Sequence, residues 1–389
     1  MTRLRQTNGP SIDCEFRVRE LTPVQLSTQD IQSWLHLETR ALEFNSYLSP
    51  HFLLPALHSL DRGMHASLLI VEIVGIKQPE MMGLAAVVVK PCSRCIPLPH
   101  LGNYQSRHSF LGTPLIDREH APEVITCLLR HFRDRPGWIL GLVWDKLSFD
   151  GELIRLLHAS AREQKMGWHV LGQYDRAELV PQFCSPESNK NPTDKKLKKE
   201  AARCKRRLSE QGEVDWVAYR DVVPTPVIDT FLRLEHNGWK GDQGSSLLAN
   251  KDDETFFRQM VNGFASEGRA MFTELRLNGN PIASTCNFIS GPEGFAFKVG
   301  WDPDYRQFGV GILNEVEFVQ RAHEICKDLT RIDSGSASNS FIERIWPGRR
   351  KIGSVFITFN NISEFTFRLY AYLYSFAAAC VRKTKMRNK

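Results

Sequence analysis

The chain has 389 residues, 42% apolar and 10% aromatic, enough to bury a sizeable core over about two to three domains. Its net charge of +6 suggests a nucleic-acid binder until the charge is located: 195–207 carries a net +7 and 382–389 a net +5, leaving −6 for everything else. The globular body is therefore mildly acidic, which excludes basicity spread over the whole surface.

The first ten residues lack the apolar core of a secretion signal, and no stretch approaches the ~20 apolar residues that span a bilayer. A cytoplasmic protein is the expectation. Ser33–Ala41 reads as a helix, followed by alternating or apolar runs at Leu68–Val74 and Leu84–Lys90 that read as strands. Cys92 and Cys95 form one C-x-x-C, but no second pair or His pair stands at ligand spacing, so no metal site is expected. The nine cysteines, odd in number and irregularly spaced, describe reduced thiols rather than a disulfide framework. Beyond a Pro-rich loop come a helix near Ala121–Phe132, a strand at Trp138–Trp144, a helix at Gly151–Gln164 and a strand at Trp168–Tyr174.

The Pro, Ser, Asn and Asp of Ser185–Lys195 mark a connection between domains. In the basic helix that follows, Leu197, Ala201, Cys204 and Leu208 share one stripe, so that face can dock while Lys and Arg meet water. A helix around Pro226–Asn237 leads to Gly238-Trp239-Lys240-Gly241, and a second helix covers Glu254–Ser266. Strands follow at Met271–Leu277, Ile282–Ile289 and Phe295–Trp301. They are joined by Asn278-Gly279-Asn280 and Gly291-Pro292-Glu293-Gly294, both hairpin chemistry.

The chain then passes through Tyr305-Arg306-Gln307-Phe308-Gly309-Val310-Gly311 into a helix at Ile312–Cys326. Strands at Leu329–Asp333 and Val355–Phe359 complete the sheet. An aromatic-rich helix, Ser363–Val381, carries Phe365, Leu369, Tyr372, Leu373, Phe376 and Cys380 on one side. Packing on the sheet or on a partner is the simple reading of that side, and contact with an anionic membrane surface is the other.

Arg306-x-x-Gly309-x-Gly311 is the strongest chemical signal. Two glycines let amide hydrogens converge at a helix start, where the unpaired N–H groups and positive dipole end suit a diphosphate, with Arg306 adding charge-assisted contacts.

Three antiparallel strands, this loop, a helix and a further strand resemble the Gcn5-related N-acyltransferase (GNAT) superfamily. The resemblance narrows to the tandem-fold branch of cellulose-biosynthesis-associated acetyltransferases (CelD/BcsL type), with the peptidoglycan-bridge aminoacyltransferases more distant. It rests on 234–241, on Phe297-Lys298-Val299-Gly300-Trp301-Asp302 running into Tyr305, and on Asp333-Ser334 followed by Ile342-Glu343-Arg344-Ile345-Trp346-Pro347. Trp34, Asn45 and Pro50 extend it toward the amino terminus, over about residues 30–360. One departure is Phe308-Gly309-Val310, where many members of that type have Ser-Pro-Gly.

The resemblance implies an α/β (α+β) chain of two tandem GNAT-like domains, each a mixed, mostly antiparallel sheet flanked by helices. The expected division is 1–185, a domain without a cofactor loop; 186–210, linker and basic helix; 211–361, the domain with the acyl-CoA site; and 362–389, amphipathic helix and basic tail. The first half is expected to lack a site because Phe110-Leu111-Gly112-Thr113-Pro114 puts a Pro where a phosphate needs an N–H. Acetyl-CoA or another acyl-CoA would lie on Arg306, Gln307, Phe308, Gly309, Val310 and Gly311, with Val299 and Trp301 beside its pantetheine arm.

Acyl transfer from a thioester needs a base for the nucleophile's proton. Asp302, Asp333 and Glu235 are the carboxylate candidates, and Tyr305 is the nearest phenol, since 334–340 lacks the leaving-group Tyr of many superfamily members. Trp239 and Lys298 could hold a substrate, expected to be a small-molecule or saccharide-linked acceptor in envelope or exopolysaccharide biosynthesis. Two rival readings stand beside this one: a transferase using aminoacyl-tRNA, the one case in which nucleic acid would be a partner, and a non-catalytic accessory of a polysaccharide machine.

Overall fold

A computed structural model of the protein describes residues 15–75, 79–93, 96–135, 137–185, 195–237 and 244–373. The first half runs β1 (Glu15–Leu21), α1 (Thr28–Thr39), α2 (Pro50–Pro55), β2 (Ser67–Val74), β3 (Glu80–Lys90), β4 (His100–Asn103), β5 (Leu115–Ile116), α3 (Ala121–Asp134), β6 (Gly141–Ser148), α4 (Leu153–Glu163) and β7 (Gly167–Leu179). The second half runs α5 (Lys195–Ser209), β8 (Val214–Arg220), α6 (Thr225–Asn237), α7 (Lys251–Ser266), β9 (Ala270–Leu277), β10 (Asn280–Ser290), β11 (Glu293–Trp301), α8 (Val310–Ile325), β12 (Arg331–Asp333) and β13 (Gly348–Thr358).

Local chemistry explains several boundaries. α1 starts five residues before the expected helix because Ser27 and Asp30 form a capping box, the Ser27 hydroxyl accepting from the Asp30 amide and the Asp30 carboxylate from the Ser27 amide. The β9–β10 reversal uses Asn278 and Gly279, both at positive φ, as a tight hairpin requires. β1, β4, β5 and β8 are strands that the sequence reading did not locate.

The halves repeat one plan. Four antiparallel strands, β1-β2-β3-β4 or β8-β9-β10-β11, are followed by a parallel partner, β6 or β12. Each half then sends its last strand into the other: β13 pairs with β6, β7 pairs with β12, and β7 and β13 pair with each other at the centre. The result is one continuous sheet of mixed, mostly antiparallel strands with a pseudo-twofold axis at its middle. The architecture is mixed α/β and GNAT-like, in tandem.

The cores follow the same plan. On one face a cluster crosses the halves, with Trp34 and Phe52 beside Phe231, Phe256, Phe264 and Phe297, and with Phe52 edge-on to Phe256 at a centroid distance of 5.2 Å. On the other face α3 and α4 cover the first half. There, α5 and α8 cover the second, with Leu197, Ala201 and Leu208 of α5 buried as the stripe predicted.

A helix over 361–373 presents the opposite side from the one the aromatic stripe suggested. Phe367 packs on Phe356 and His169, whereas Ile362, Phe365, Leu369, Tyr372 and Leu373 are exposed. Phe376, Cys380 and the basic tail lie outside the described residues. No helix among the described residues is long and apolar enough to cross a membrane.

The strand exchange makes a prediction. Ending the chain at residue 347 strips β6 and β7 of a shared neighbour and removes Ile352, Val355, Phe356 and Ile357, all fully buried. Each such side chain is worth about 2–5 kcal/mol, and a whole domain only about 5–15 kcal/mol. The truncated chain is expected to lose cooperative thermal unfolding in both halves, and a native-like transition retained by it would show that the halves fold independently.

Candidate active site

The site begins where the sheet splits. β12 pairs with β11 only from Glu293↔Arg331 to Phe295↔Asp333, after which β12 ends and β11 runs on to Trp301. The β10–β11 register slips between Cys286 and Asn287, leaving Phe297 as an extra residue. Such a bulge bends its strand, here widening the gap. Tyr47 of the first half donates from its hydroxyl to the Ala296 carbonyl at 3.3 Å, so the other half buttresses the rim.

Beyond Trp301 the Asp302 side chain accepts from the Asp304 amide and caps a short 3-10 turn, Pro303–Phe308. Gly309 then takes the left-handed conformation, φ 59° and ψ 43°, which costs a glycine little, and serves as N-cap of α8. The amides of Val310, Gly311 and Ile312 have no carbonyl of their own helix to bond, and no N-cap side chain covers them. Together with Val299, Trp301, Arg306 and Phe341 these residues line a cavity of about 440 Å³. Uncapped amides and a guanidinium at one end, with apolar walls along the rest, suit a charged diphosphate carrying a long neutral arm.

A second cavity of about 270 Å³ shares Val299 and Phe341 with the first and reaches through the gap to Phe110, Lys298, Ser334, Ser336 and Glu315. Glu315 lies on the inner side of α8, 7% exposed, and accepts the Trp346 indole N–H at 3.2 Å. Burial pushes its carboxyl up to about 7, the Trp346 hydrogen bond working against the rise. Beneath it a polar chain joins Trp216, Asn314, Thr273 and Thr285 through bonds of 2.7–2.9 Å.

Of the residues singled out in the sequence, Arg306, Gly309, Val310, Gly311, Val299 and Trp301 line one cavity. Gln307 and Phe308 line an adjoining one, and Arg207 lies over the Phe308 ring. Glu235 and Lys298 meet: Glu235 is buried, accepts the Leu247 amide at 2.8 Å, and stands 3.5 Å from the Lys298 ammonium. The mid-strand lysine is thus paired. Asp302 serves the loop as its cap, and Tyr305 packs half-buried against the α5–α8 cluster. Trp239 lies outside the described residues.

Asp333 sits apart from these. It is buried between Arg350, at 3.0 Å, and Arg176, at 3.4 Å, and accepts the Gly335 amide at 2.7 Å. Burial alone would raise its pKa, but the two guanidiniums hold it below the ordinary carboxylate value. Sequence reasoning missed Glu315. Its signal was a carboxylate three residues after Ile312 and four before Val319, inside the helix's apolar stripe.

The corresponding corner of the first half is closed. α3 begins at Ala121, where the sequence placed it, and Asp117 already accepts the amides of Glu119 and His120 near its start. Gly112 is bonded into the fold, its amide to the Lys146 carbonyl and its carbonyl to the Trp144 indole, and the space there is about 10 Å³. Among the described residues no group of three His, Cys, Asp or Glu is placed to hold a metal.

Residues 195–341 match the family model described as an acetyltransferase (GNAT) domain. No curated protein matches the sequence. Among solved structures the chain is similar to the C-terminal domain of a protein described as a lysylphosphatidylglycerol synthetase from Agrobacterium fabrum, at 11% identity over 89% of this chain and 96% of that one, TM-score 0.54. It is also similar to FemX, at 11% identity over 87% and 96%, TM-score 0.51. A conserved protein of unknown function from Bacteroides thetaiotaomicron aligns at 10% identity over 87% and 99%, TM-score 0.51. Those three likenesses concern the fold alone. The similarity of residues 195–341 to a GNAT acetyltransferase domain supports an acyltransferase.

Proposed function

We propose that the enzyme transfers an acyl group, acetyl in the simplest case, from acyl-CoA to an amine or hydroxyl of a small-molecule or saccharide-linked acceptor. The observation that carries this reading is the uncapped start of α8 opening, with Arg306, onto the 440 Å³ cavity. In this reading the diphosphate sits on the amides of Val310, Gly311 and Ile312, and the pantetheine arm follows Val299 and Trp301. The thioester then reaches the junction at Phe341. The acceptor enters through the second cavity, where Glu315 takes its proton and the displaced thiolate, a good leaving group, departs beside Ser334 and Ser336. Glu235 positions Lys298 toward the acceptor, Asp302 and Tyr305 hold the loop, and Asp333 serves the fold. CoA fits this trough by its donor set; it supplies the activated acyl group, and the side chains named here orient it and move the proton.

Calorimetric titration of acetyl-CoA into wild type and Gly311→Phe tests the donor assignment. A Cβ at residue 311 would meet Trp301 at 3.2 Å, so a phenyl group has to occupy the cavity. Affinity is expected to fall at least about tenfold with little change in melting temperature, since the first turn of a helix tolerates a phenylalanine. Equal affinity in the two proteins would place the donor elsewhere.

The resemblance to cellulose-associated acetyltransferases supports an envelope or exopolysaccharide acceptor, presented on the cytoplasmic side. The exposed face of the 361–373 helix, followed in sequence by five Lys and Arg over 382–389, supports a peripheral station at an anionic membrane. A second reading, an aminoacyl group delivered by tRNA, draws on the basic surface of α5 beside the trough. Its signature would be tRNA binding that weakens steeply with salt, without acyl-CoA binding.

A further inference from the structure

Among the described residues that line the 270 Å³ acceptor cavity, two can carry charge: Glu315 of α8 and Lys298 of β11. The rest of the wall is neutral, aromatic at Phe110 and Phe297 and polar at Thr285, Asn287 and Ser334. Lys298 has donors to spare. Its side chain is 13% exposed, and its ammonium, with three N–H groups, meets one partner among the described residues, Glu235 at 3.5 Å. That is the long limit of a hydrogen bond, and the other Glu235 oxygen accepts the Leu247 amide. A neutral acceptor filling the cavity takes the remaining N–H groups out of water and returns no acceptor atom, which costs free energy. A negatively charged group on the acceptor supplies what is missing, and at the other charged residue the Glu315 carboxylate attracts an ammonium. A cavity of this volume is about 8 Å across if round, so one small molecule reaches both charges within a few bonds.

We infer that the acceptor is a small zwitterionic amine, its amino group beside Glu315 and a carboxylate or phosphate a few bonds away on the Lys298 ammonium. The inference rests on the acyl-CoA reading above and deepens it by naming the acceptor's class. The ammonium sheds one proton to solvent. On attack a second passes to Glu315 as the N–C bond forms and the C–S bond breaks, and the thiolate leaves and is protonated as CoA. Glu315 then releases its proton to solvent, and the product is an N-acyl amine that keeps its negative group. Lys298 stays charged throughout, so its contact is the same before and after transfer. Binding of that kind lowers KM and leaves kcat alone.

The test follows release of the CoA thiol from acetyl-CoA by the full-length enzyme with matched amines: β-alanine against β-alaninamide, and phosphoethanolamine against ethanolamine. Wild type is expected to favour the anion-bearing member of at least one pair by about ten- to a hundredfold in kcat/KM, the scale of one charge-assisted contact, with the difference in KM. Preference in the first pair identifies a carboxylate, and in the second a phosphate. The double variant Glu235→Gln, Lys298→Met removes both members of the buried pair, so no lone carboxylate is stranded, and is expected to bring each pair within about twofold. The wild-type comparison decides the matter even if that variant fails to fold. Equal use of both members of each pair, use of the uncharged amines alone, or binding of acetyl-CoA with no amine turned over would overturn this inference and leave the acyl-CoA reading standing. So would a folded variant that lowers kcat equally for charged and uncharged amines, because Lys298 would then serve the oxyanion of the reacting carbonyl. No binding of acetyl-CoA would overturn both.

Discussion

Asp333→Asn is expected to cost about 3–5 kcal/mol of folding stability, the penalty for leaving buried guanidiniums without their counter-ion. Asp333 ends β12, Arg176 lies on β7 and Arg350 on β13, so the three side chains tie together the strands that the halves exchange. All three side chains are at most 2% exposed, and water cannot replace the lost charge. Arg176 keeps its bonds to the Tyr174 hydroxyl and the Ser336 carbonyl, but Arg350 is left with Glu293 at 3.6 Å. Removing the ion pair together with its partner should hurt less: Asp333→Leu with Arg350→Met is expected to be more stable than Asp333→Asn alone. The pH dependence has a definite sign. The folded pKa is depressed, so this carboxylate's contribution is complete above the unfolded value of about 3.9 and is lost as pH falls through the folded one. Urea midpoints at neutral pH measure the effect, and a loss under about 1 kcal/mol would mean that the triad does not hold the exchanged strands together.

Local chemistry made the glycine loop before α8 and the hairpins legible. Gly309 and Gly311 signal a helix start by themselves, and Asn278-Gly279 needs only its own backbone preferences to reverse the chain. What could not be read depends on residues far apart in sequence. Gly348–Ser354 holds Arg349, Arg350 and Lys351 and resembles a solvated loop, yet Arg350 is buried because Asp333 waits for it on another strand. For the same reason Asp333 looked available as a base: neither Arg176 nor Arg350 is near it in the chain. β4 has only four residues behind a Pro-rich loop, too few to show alternation. The exchange of β7 and β13 leaves no mark in either half, since each strand carries the same apolar run whichever sheet receives it.

The first half also shows why one sequence plan yields a single open trough. Asp117 has taken the role of the anion at α3, accepting two amides near the helix start and pairing with Arg40 at 2.6 Å. α8 carries no such carboxylate. With Arg306 beside it, the start of α8 stays positive, and the repeat becomes asymmetric at one side chain.

Glu315→Gln is expected to lower acyl-transfer turnover by about a hundred- to ten-thousandfold, the usual contribution of a positioned general base, while leaving acetyl-CoA affinity within about twofold. Wild-type turnover should rise with pH through about 7 as this carboxyl ionises, and that rise should vanish in the variant. Stability gives an independent readout of opposite sign. A carboxyl whose folded pKa is raised stabilises the fold below its unfolded value, near 4.5, and that stability is lost as pH rises toward about 7. Above neutrality the wild type therefore bears a buried charge held by one indole N–H, and the amide does not. The glutamine variant should then be the more stable protein at alkaline pH, by an amount on the order of 3 kcal/mol, and indistinguishable near pH 4. A residue that merely packs against Trp346 would change stability without flattening the pH profile of the rate, and that result would remove Glu315 from the chemistry.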